Sequence, residues 1–286
     1  MPKSKIMATF ADKMKDFSLL MSVYQRERPE FLTACFDSIY NQTVRPSEIV
    51  LVEDGPLTPA LYEAISSEQK RFGTMKRVAL EQNQGLGAAL NAGMKACSYD
   101  IVARMDTDDI CLPQRFEAQL TYLEAHPEID VLGAWISEFD GVPTNVVGVR
   151  RLPENHEAIY KFGKKRNPTN HPTVMFRKQA VMDAGGYQPF PLFEDYYLWA
   201  RMLNQGHLFH NLQQPLLLFR RSPQMISRRG GVDYAHHEVR LFHEMYQMGY
   251  ISLYDMVRNI LQRYIVRLLP NVMRSFIYRH LLRAIP

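Results

Sequence analysis

The sequence predicts an α/β fold, a mostly parallel, doubly wound sheet with a helical C-terminal region. Three observations carry that prediction. Short apolar runs alternate with helix-period segments over residues 17–125. Turn residues stand at the joints, notably Glu53-Asp54-Gly55-Pro56 and the Gly-bearing stretch Asn83 to Gly87. Beyond Gly230-Gly231 the pattern is largely helical.

Each element has its own warrant. Residues 17–24 are an apolar run of strand length, Phe-Ser-Leu-Leu-Met-Ser-Val-Tyr. Pro29 opens a helix through about Asn41, with Leu32, Cys35 and Ile39 at helical spacing. Ile49 to Val52 form a second strand, residues 59–72 a helix, and Arg77 to Leu80 a third strand. The Asn83–Gly87 turn leads into a helix over about 88–97. Asp100 to Met105 are a fourth strand, and Pro113 sits in the first turn of a helix to about His126. Further on, Ile129–Ile136 and Thr173–Phe176 read as strands, Phe193–Leu203 as a helix, and Pro215–Arg220 as extended.

Bulk properties narrow the classes. A chain of 286 residues fits one large domain or one with an appendage. A net charge of +4 is too small to argue for a nucleic-acid partner. Cys35, Cys97 and Cys111 lack paired spacing, so a reducing, cytoplasmic setting is expected. No secretory signal is visible, and no run of about 18 uncharged apolar residues predicts a membrane span.

In doubly wound sheets, ligands bind beyond the carboxyl ends of the strands. Asp54, Asn83 and Asp106 each lie just past such an end. Asp106-Thr107-Asp108-Asp109 is the chemically richest stretch, because carboxylate oxygens suit Mg²⁺ or Mn²⁺. Asp109 has a second reading, as the cap of the helix beginning near Leu112 or Pro113. A bare Asp-x-Asp also fits a solvated strand-to-helix turn.

Context sharpens the choice. Leu20-Met-Ser-Val-Tyr24, Ile49-Val-Leu-Val-Glu-Asp-Gly55, Asn83-Gln-Gly-Leu-Gly-Ala-Ala-Leu-Asn91 and Ala103-Arg-Met-Asp-Thr-Asp-Asp-Ile110 occur in that order. Together they resemble the family 2 glycosyltransferases with the Rossmann-like GT-A fold, and most of all bacterial enzymes of O-antigen, capsule or exopolysaccharide assembly. The resemblance covers roughly residues 17–225. It implies a GT-A domain over 17–230, an N-terminal extension over 1–16 and a helical region over 231–286.

It also implies roles. Val23, Tyr24 and Arg26 match the first nucleotide-contacting loop, where Gln25 replaces the usual Asn. Asp54 matches the aspartate that contacts uracil or ribose; Glu53 replaces the usual Asp before it. Asn83 and Gly85 match the turn that closes over the nucleotide, and Arg104 a residue near the base or diphosphate. Asp106 matches the sugar-contacting carboxylate and Asp108 the metal ligand, so both are assigned to a Mn²⁺ or Mg²⁺ site.

Phe193-Glu194-Asp195-Tyr196 resembles the family motif that supplies the general base. Asp195 is assigned that role, with Glu194 beside it on the acceptor side. An acidic helix start suited to the dipole is the plain alternative. His171 and Trp199 are assigned to the acceptor side, although Trp199 is also spaced for the core. Arg220 and Arg228 belong to a segment expected to close over the diphosphate. No Gln-x-x-Arg-Trp motif is present, so one sugar per encounter is expected.

Residues 256–286 carry six arginines (258, 263, 267, 274, 279, 283) and no Asp or Glu, with Pro270 expected to split two helices. Such a tail suits an anionic membrane surface and a polyprenyl-diphosphate-linked glycan acceptor, or else a packing or homodimer contact. Three rivals remain at this level: a haloacid-dehalogenase-type phosphohydrolase using Asp106 and Asp108, a sugar nucleotidyltransferase, and a non-catalytic nucleotide-sugar-binding protein.

Overall fold

A computed structural model describes residues 16–222 and 231–268. Its strands are β1 (Phe17–Val23), β2 (Glu48–Glu53), β3 (Met75–Ala79), β4 (Ile101–Arg104), β5 (Ile110–Cys111), β6 (Val131–Phe139), β7 (Val146–Arg150), β8 (Met175–Arg177) and β9 (Phe209–Arg220). The helices are α1 (Pro29–Tyr40), α2 (Pro59–Phe72), α3 (Leu86–Ala96), α4 (Arg115–Ala125), α5 (His156–Gly163), α6 (Lys178–Asp183), α7 (Glu194–Asn204), α8 (Val232–Gln247) and α9 (Leu253–Leu268).

The strands form one mixed sheet in the order β3-β2-β1-β4-β8-β6-β9-β5, with β7 on β6. β1 to β4 are mutually parallel, β8 reverses, and β6 and β9 resume the first direction. The first four strands alternate their side chains. Leu19, Met21, Ile49 and Leu51 join one buried cluster with Leu32, Phe36 and Phe116, from α1 and α4. Leu20, Val50 and Val52 join the other, with Ala89, Leu90 and Trp199, from α3 and α7. This two-sided burial explains why β1, β2 and β4 read as largely apolar runs, whereas β3, at the sheet edge, exposes Lys76, Arg77 and Ala79.

Elements without a clean period were the ones the sequence did not reveal. β5, β7, α5 and α6 fall in this class, and β9 begins six residues before Pro215. In β9 the register to β6 shifts twice around Trp135, and Pro215 sits at that irregularity, where its missing N–H costs the ladder little. The cap assigned to Asp109 is corrected. α4 begins at Arg115 with Gln114 before it and no side-chain cap, whereas Asp109 accepts a bond from a distant strand.

The C-terminal helices pack on the sheet's helical layer. α8 buries Leu241, Phe242 and Met245, and Tyr234 meets Phe193 edge-on at 5.0 Å between ring centres. α9 turns polar residues inward: the Asn259 amide donates to the Lys164 carbonyl at 2.8 Å and Arg263 to the Lys165 carbonyl at 2.8 Å. Leu253, Tyr254, Val257 and Leu261 are left exposed on its other side. No described helix is long and apolar enough to cross a membrane. The N-terminal extension up to residue 15, Arg228, Pro270 and the arginines after it lie outside the described residues.

Candidate active site

Parallel pairing brings the carboxyl ends of β1, β2 and β4 together. The Asp54 N–H donates to the Val23 carbonyl at 2.8 Å, and the Met105 N–H to Leu20 at 3.2 Å. Val23 itself is fully buried, so its side chain is core and its carbonyl is already bonded. Any contact of Val23 with a nucleotide would therefore be through its backbone. Tyr24, one residue on, is 39% exposed, with Arg26 exposed beside it, so the ring is not core filling.

Asp54 is buried and heavily engaged. Its carboxylate accepts from the Asn83 amide at 2.9 Å, the Gln84 N–H at 2.7 Å and the Gly85 N–H at 3.0 Å. The residue therefore fixes the 83–85 turn, which starts α3. Gly55 allows the approach: it has φ of +83°, and a Cβ there would lie 2.5 Å from the Asn83 nitrogen. Glu53, the departure from the usual Asp, is buried and accepts from Arg77 Nε at 2.5 Å.

Arg104 is fully buried at the end of β4 and grips Asp106 with both terminal nitrogens, at 2.8 and 2.5 Å. Its guanidinium is thus committed within the protein rather than open to a diphosphate. The Asp106 side chain remains 31% exposed. One carboxylate oxygen from each of Asp106, Asp108 and Asp109 lies within 4.8 Å of the others. Burial, Asp106 and Glu27 push Asp108 up to about 7. Burial and the neighbouring carboxylates push Asp109 well above the usual range. Asp109 accepts from the Arg220 N–H at 2.9 Å, while its other oxygen is buried without a partner. Clustered hard donors, an orphaned oxygen and mutual repulsion fit a divalent cation.

Arg220, at the end of β9, donates from Nε to the Asp108 carbonyl at 2.9 Å. Its guanidinium carbon lies 3.9 Å from the Phe31 ring centre and 4.7 Å from that of Phe139. Arg220 therefore ties β9 to the acidic turn, which leaves it less free for phosphate than its position in the chain implies.

The second acidic pair opens α7. Asp195 accepts from the Asn167 amide at 2.6 Å and from the Tyr196 N–H at 2.7 Å. Burial raises Asp195, and burial with the Asp195 charge raises Glu194 to about 7. Leu192, just before the pair, has φ of +71°, a strained conformation for a residue with a Cβ. Arg104 lies within electrostatic reach of Asp106, Asp195 and Glu194, so one buried cation serves both acidic pairs.

Trp199 is corrected. It is fully buried, with His171, Tyr187 and Phe209 around its ring, and offers no face to a sugar. His171 is also buried, 2.8 Å from the Tyr187 hydroxyl through Nε2, and burial with the Arg104 charge pulls it well below its usual range. It is a neutral hydrogen-bonding group behind the site. Glu27, Asn167 and Tyr187 were not legible in the sequence. Glu27 accepts from the Thr107 hydroxyl at 2.7 Å, and Tyr187 is clasped by Asn91, whose Oδ1 receives its N–H at 2.9 Å. None sits in a repeated spacing; only the Asn-Pro and Gly-Gly-Tyr contexts hinted at ordered turns.

Comparison with known proteins agrees with this geometry. Residues 18–185 match the sequence model described as Glycosyl transferase family 2. The chain is 39% identical over 273 residues to the UDP-Gal:alpha-D-GlcNAc-diphosphoundecaprenol beta-1,3-galactosyltransferase of Escherichia coli, covering 96% of this chain and 98% of that one. It is 41% identical over 267 residues to the amylovoran biosynthesis glycosyltransferase AmsE of Erwinia amylovora, covering 92% and 97%. Among solved structures, S. aureus TarS 1–349 in complex with UDP-GlcNAc superposes with a TM-score of 0.66 at 17% identity, covering 88% of this chain and 73% of that one.

Proposed function

The chain belongs to glycosyl transferase family 2 and is a glycosyltransferase, and on that premise we propose that it moves one hexose, with inversion, from a uridine diphosphate sugar to a polyprenyl-diphosphate-linked glycan in bacterial surface-polysaccharide assembly. One observation carries the reading: buried Arg104 binds Asp106 of the acidic triad and lies within electrostatic reach of Asp195. The E. coli relative acts on a diphosphoundecaprenol-linked sugar, which supports that acceptor class.

The donor lies against Tyr24, Arg26, Asp54 and the Asn83–Gly85 turn. Asp106, Asp108 and Asp109 would hold Mn²⁺ or Mg²⁺, which would supply positive charge against the diphosphate as it departs. The acceptor hydroxyl oxygen bonds to the anomeric carbon as the bond from that carbon to the diphosphate oxygen breaks. The electron pair leaves with the nucleoside diphosphate, and the hydroxyl proton passes to Asp195.

The enzyme works at the cytoplasmic face of the membrane. The exposed Leu253, Tyr254, Val257 and Leu261, beside an arginine-rich tail, suit an anionic lipid surface. Flotation of the full chain with anionic but not zwitterionic vesicles is expected. Failure to float, with a doubled mass in solution, would make that face a homodimer contact instead.

The catalytic test pairs the protein with UDP-hexoses and a polyprenyl-diphosphate GlcNAc acceptor, with and without Mn²⁺, and reads the anomeric configuration by NMR. A β product from an α donor is expected. Asp195→Asn should lose about 10²–10⁴-fold in turnover with donor affinity kept. An α product, or near-normal turnover of that variant, would refute the reading.

A further inference from the structure

We propose that Asn167 is a positioning residue for the reaction, its side-chain amide holding the Asp195 carboxylate in one orientation and in its charged form. The inference rests on Asp195 being the general base, as argued above.

Asn167 lies in the Arg166-Asn167-Pro168 turn after α5, outside every motif that carries the family resemblance. Its amide nitrogen is 2.6 Å from Asp195 Oδ2, short for a neutral donor and in keeping with a charged acceptor. The other carboxylate oxygen takes the N–H of Tyr196 at 2.7 Å. Each oxygen therefore receives one donor, and each keeps a lone pair for an acceptor proton. The turn is itself anchored, since Arg150 of β7 donates to the Asn167 carbonyl at 3.0 Å.

An N–H bond to a carboxylate favours its charged form, the state in which it can take a proton. Burial works the other way, and Asn167 leads the influences that counter it, followed by the Tyr196 N–H, Arg104 and Arg150. The other ionisable groups close enough to act on the site are Glu194 on the same helix, Tyr187 before it and Asp106 beyond Arg104. Asn167, unlike these, is a neutral side chain that hydrogen-bonds the base directly.

The test is the pH profile of kcat/KM for wild type, Asn167→Ala and Asn167→Asp, with UDP affinity measured on the same preparations. Losing the bond should move the acidic limb of the profile up by about one pH unit. Asn167→Asp, near-isosteric but carrying a like charge, should move it further. UDP affinity should stay within about twofold of wild type. Asn167→Ser, which keeps a short donor, should fall between wild type and Asn167→Ala, and serves if the alanine variant does not fold. A kcat loss with an unmoved acidic limb would reduce Asn167 to a structural part and overturn the proposal. Asp195→Asn separates the two failures: an active Asp195→Asn removes the base itself, whereas an inactive one with an unshifted Asn167→Ala profile removes only the role of Asn167.

Discussion

Asp108→Asn should make the metal-free protein more stable at pH 8 while it cripples metal binding. Asp108 stands at about 7 instead of 3.8 because of burial, Asp106 and Glu27. That rise of roughly three pH units corresponds to about 4 kcal/mol between its charged and neutral forms, at about 1.36 kcal/mol per unit. The folded value lies above the unfolded one. The stability linked to it is therefore complete below about pH 4 and is lost as pH climbs through about 7. At pH 8 the native state carries the full repulsion. Asp106 and Asp109 remain in the variant, so one deletion relieves part of it, about 2–4 kcal/mol. For a chain of this length that is about 4–8 °C in Tm. The assay is thermal unfolding in EDTA at pH 5 and pH 8. The variant should exceed wild type at pH 8 and by less than half that margin at pH 5, where only about one of the three linked pH units has been lost. With saturating Mn²⁺ the order should reverse at pH 8, because wild type alone gains the full binding free energy. A variant less stable than wild type at pH 8 in EDTA, or an equal difference at both pH values, would refute the reasoning.

Four further outcomes are expected. Mn²⁺ binding at pH 6 should release about one proton, with affinity falling about fivefold from pH 7 to pH 6 because Asp108 stands at about 7, as calorimetry in buffers of different ionisation enthalpy would show. Gly55→Ala and Gly85→Ala both place a Cβ on backbone of positive φ, +83° and +86°, at a cost of about 1–3 kcal/mol each. Only Gly55→Ala also drives a Cβ into the Asn83 backbone, whereas nothing lies within 4 Å of a Cβ at Gly85; denaturant unfolding and UDP titration should therefore both rank Gly55→Ala as the more damaging. Trp199→Phe should lower stability by about 1–3 kcal/mol and leave the acceptor KM unchanged, because the ring is core and not a sugar platform. Tyr24→Ala should do the reverse, raising the donor KM several-fold with Tm nearly constant.

The legible parts of this molecule share one physical property. β1, β2 and β4 are buried on both faces, so their residues are mostly apolar, and the polar residues just after them stand out. That contrast made Asp54 and Asp106 to Asp109 visible. α7 was visible too, from its 3.6-residue period and acidic start. β5 has two residues and β9 bends through a proline; too short or too irregular for a period, they were set by pairing with strands far away in the chain. The same holds for side chains whose partners are remote. Asp109 looked like a helix cap because the helix is near in sequence, but it serves Arg220, 111 residues away. Trp199 lay close enough to the acidic pair to suggest a sugar contact, but the helix turns it inward, onto the ring of Phe209.

By itself, the sequence determined the alternation of strands and helices, the carboxyl-end position of the acidic residues, and the family. Each depends on local order along the chain, and periodicity preserves local order. The tertiary structure decided which charges are paired, which oxygens are left bare, and which rings face solvent. Arg104 closes on Asp106, Asn167 reaches Asp195, and Asn259 of α9 reaches the Lys164 carbonyl. These pairings join segments that only the folded sheet brings within hydrogen-bond distance, or depend on burial that the sheet alone creates. They gather three carboxylates into one cluster and hold a fourth by Asn167, the groups that the proposed metal site and base would use.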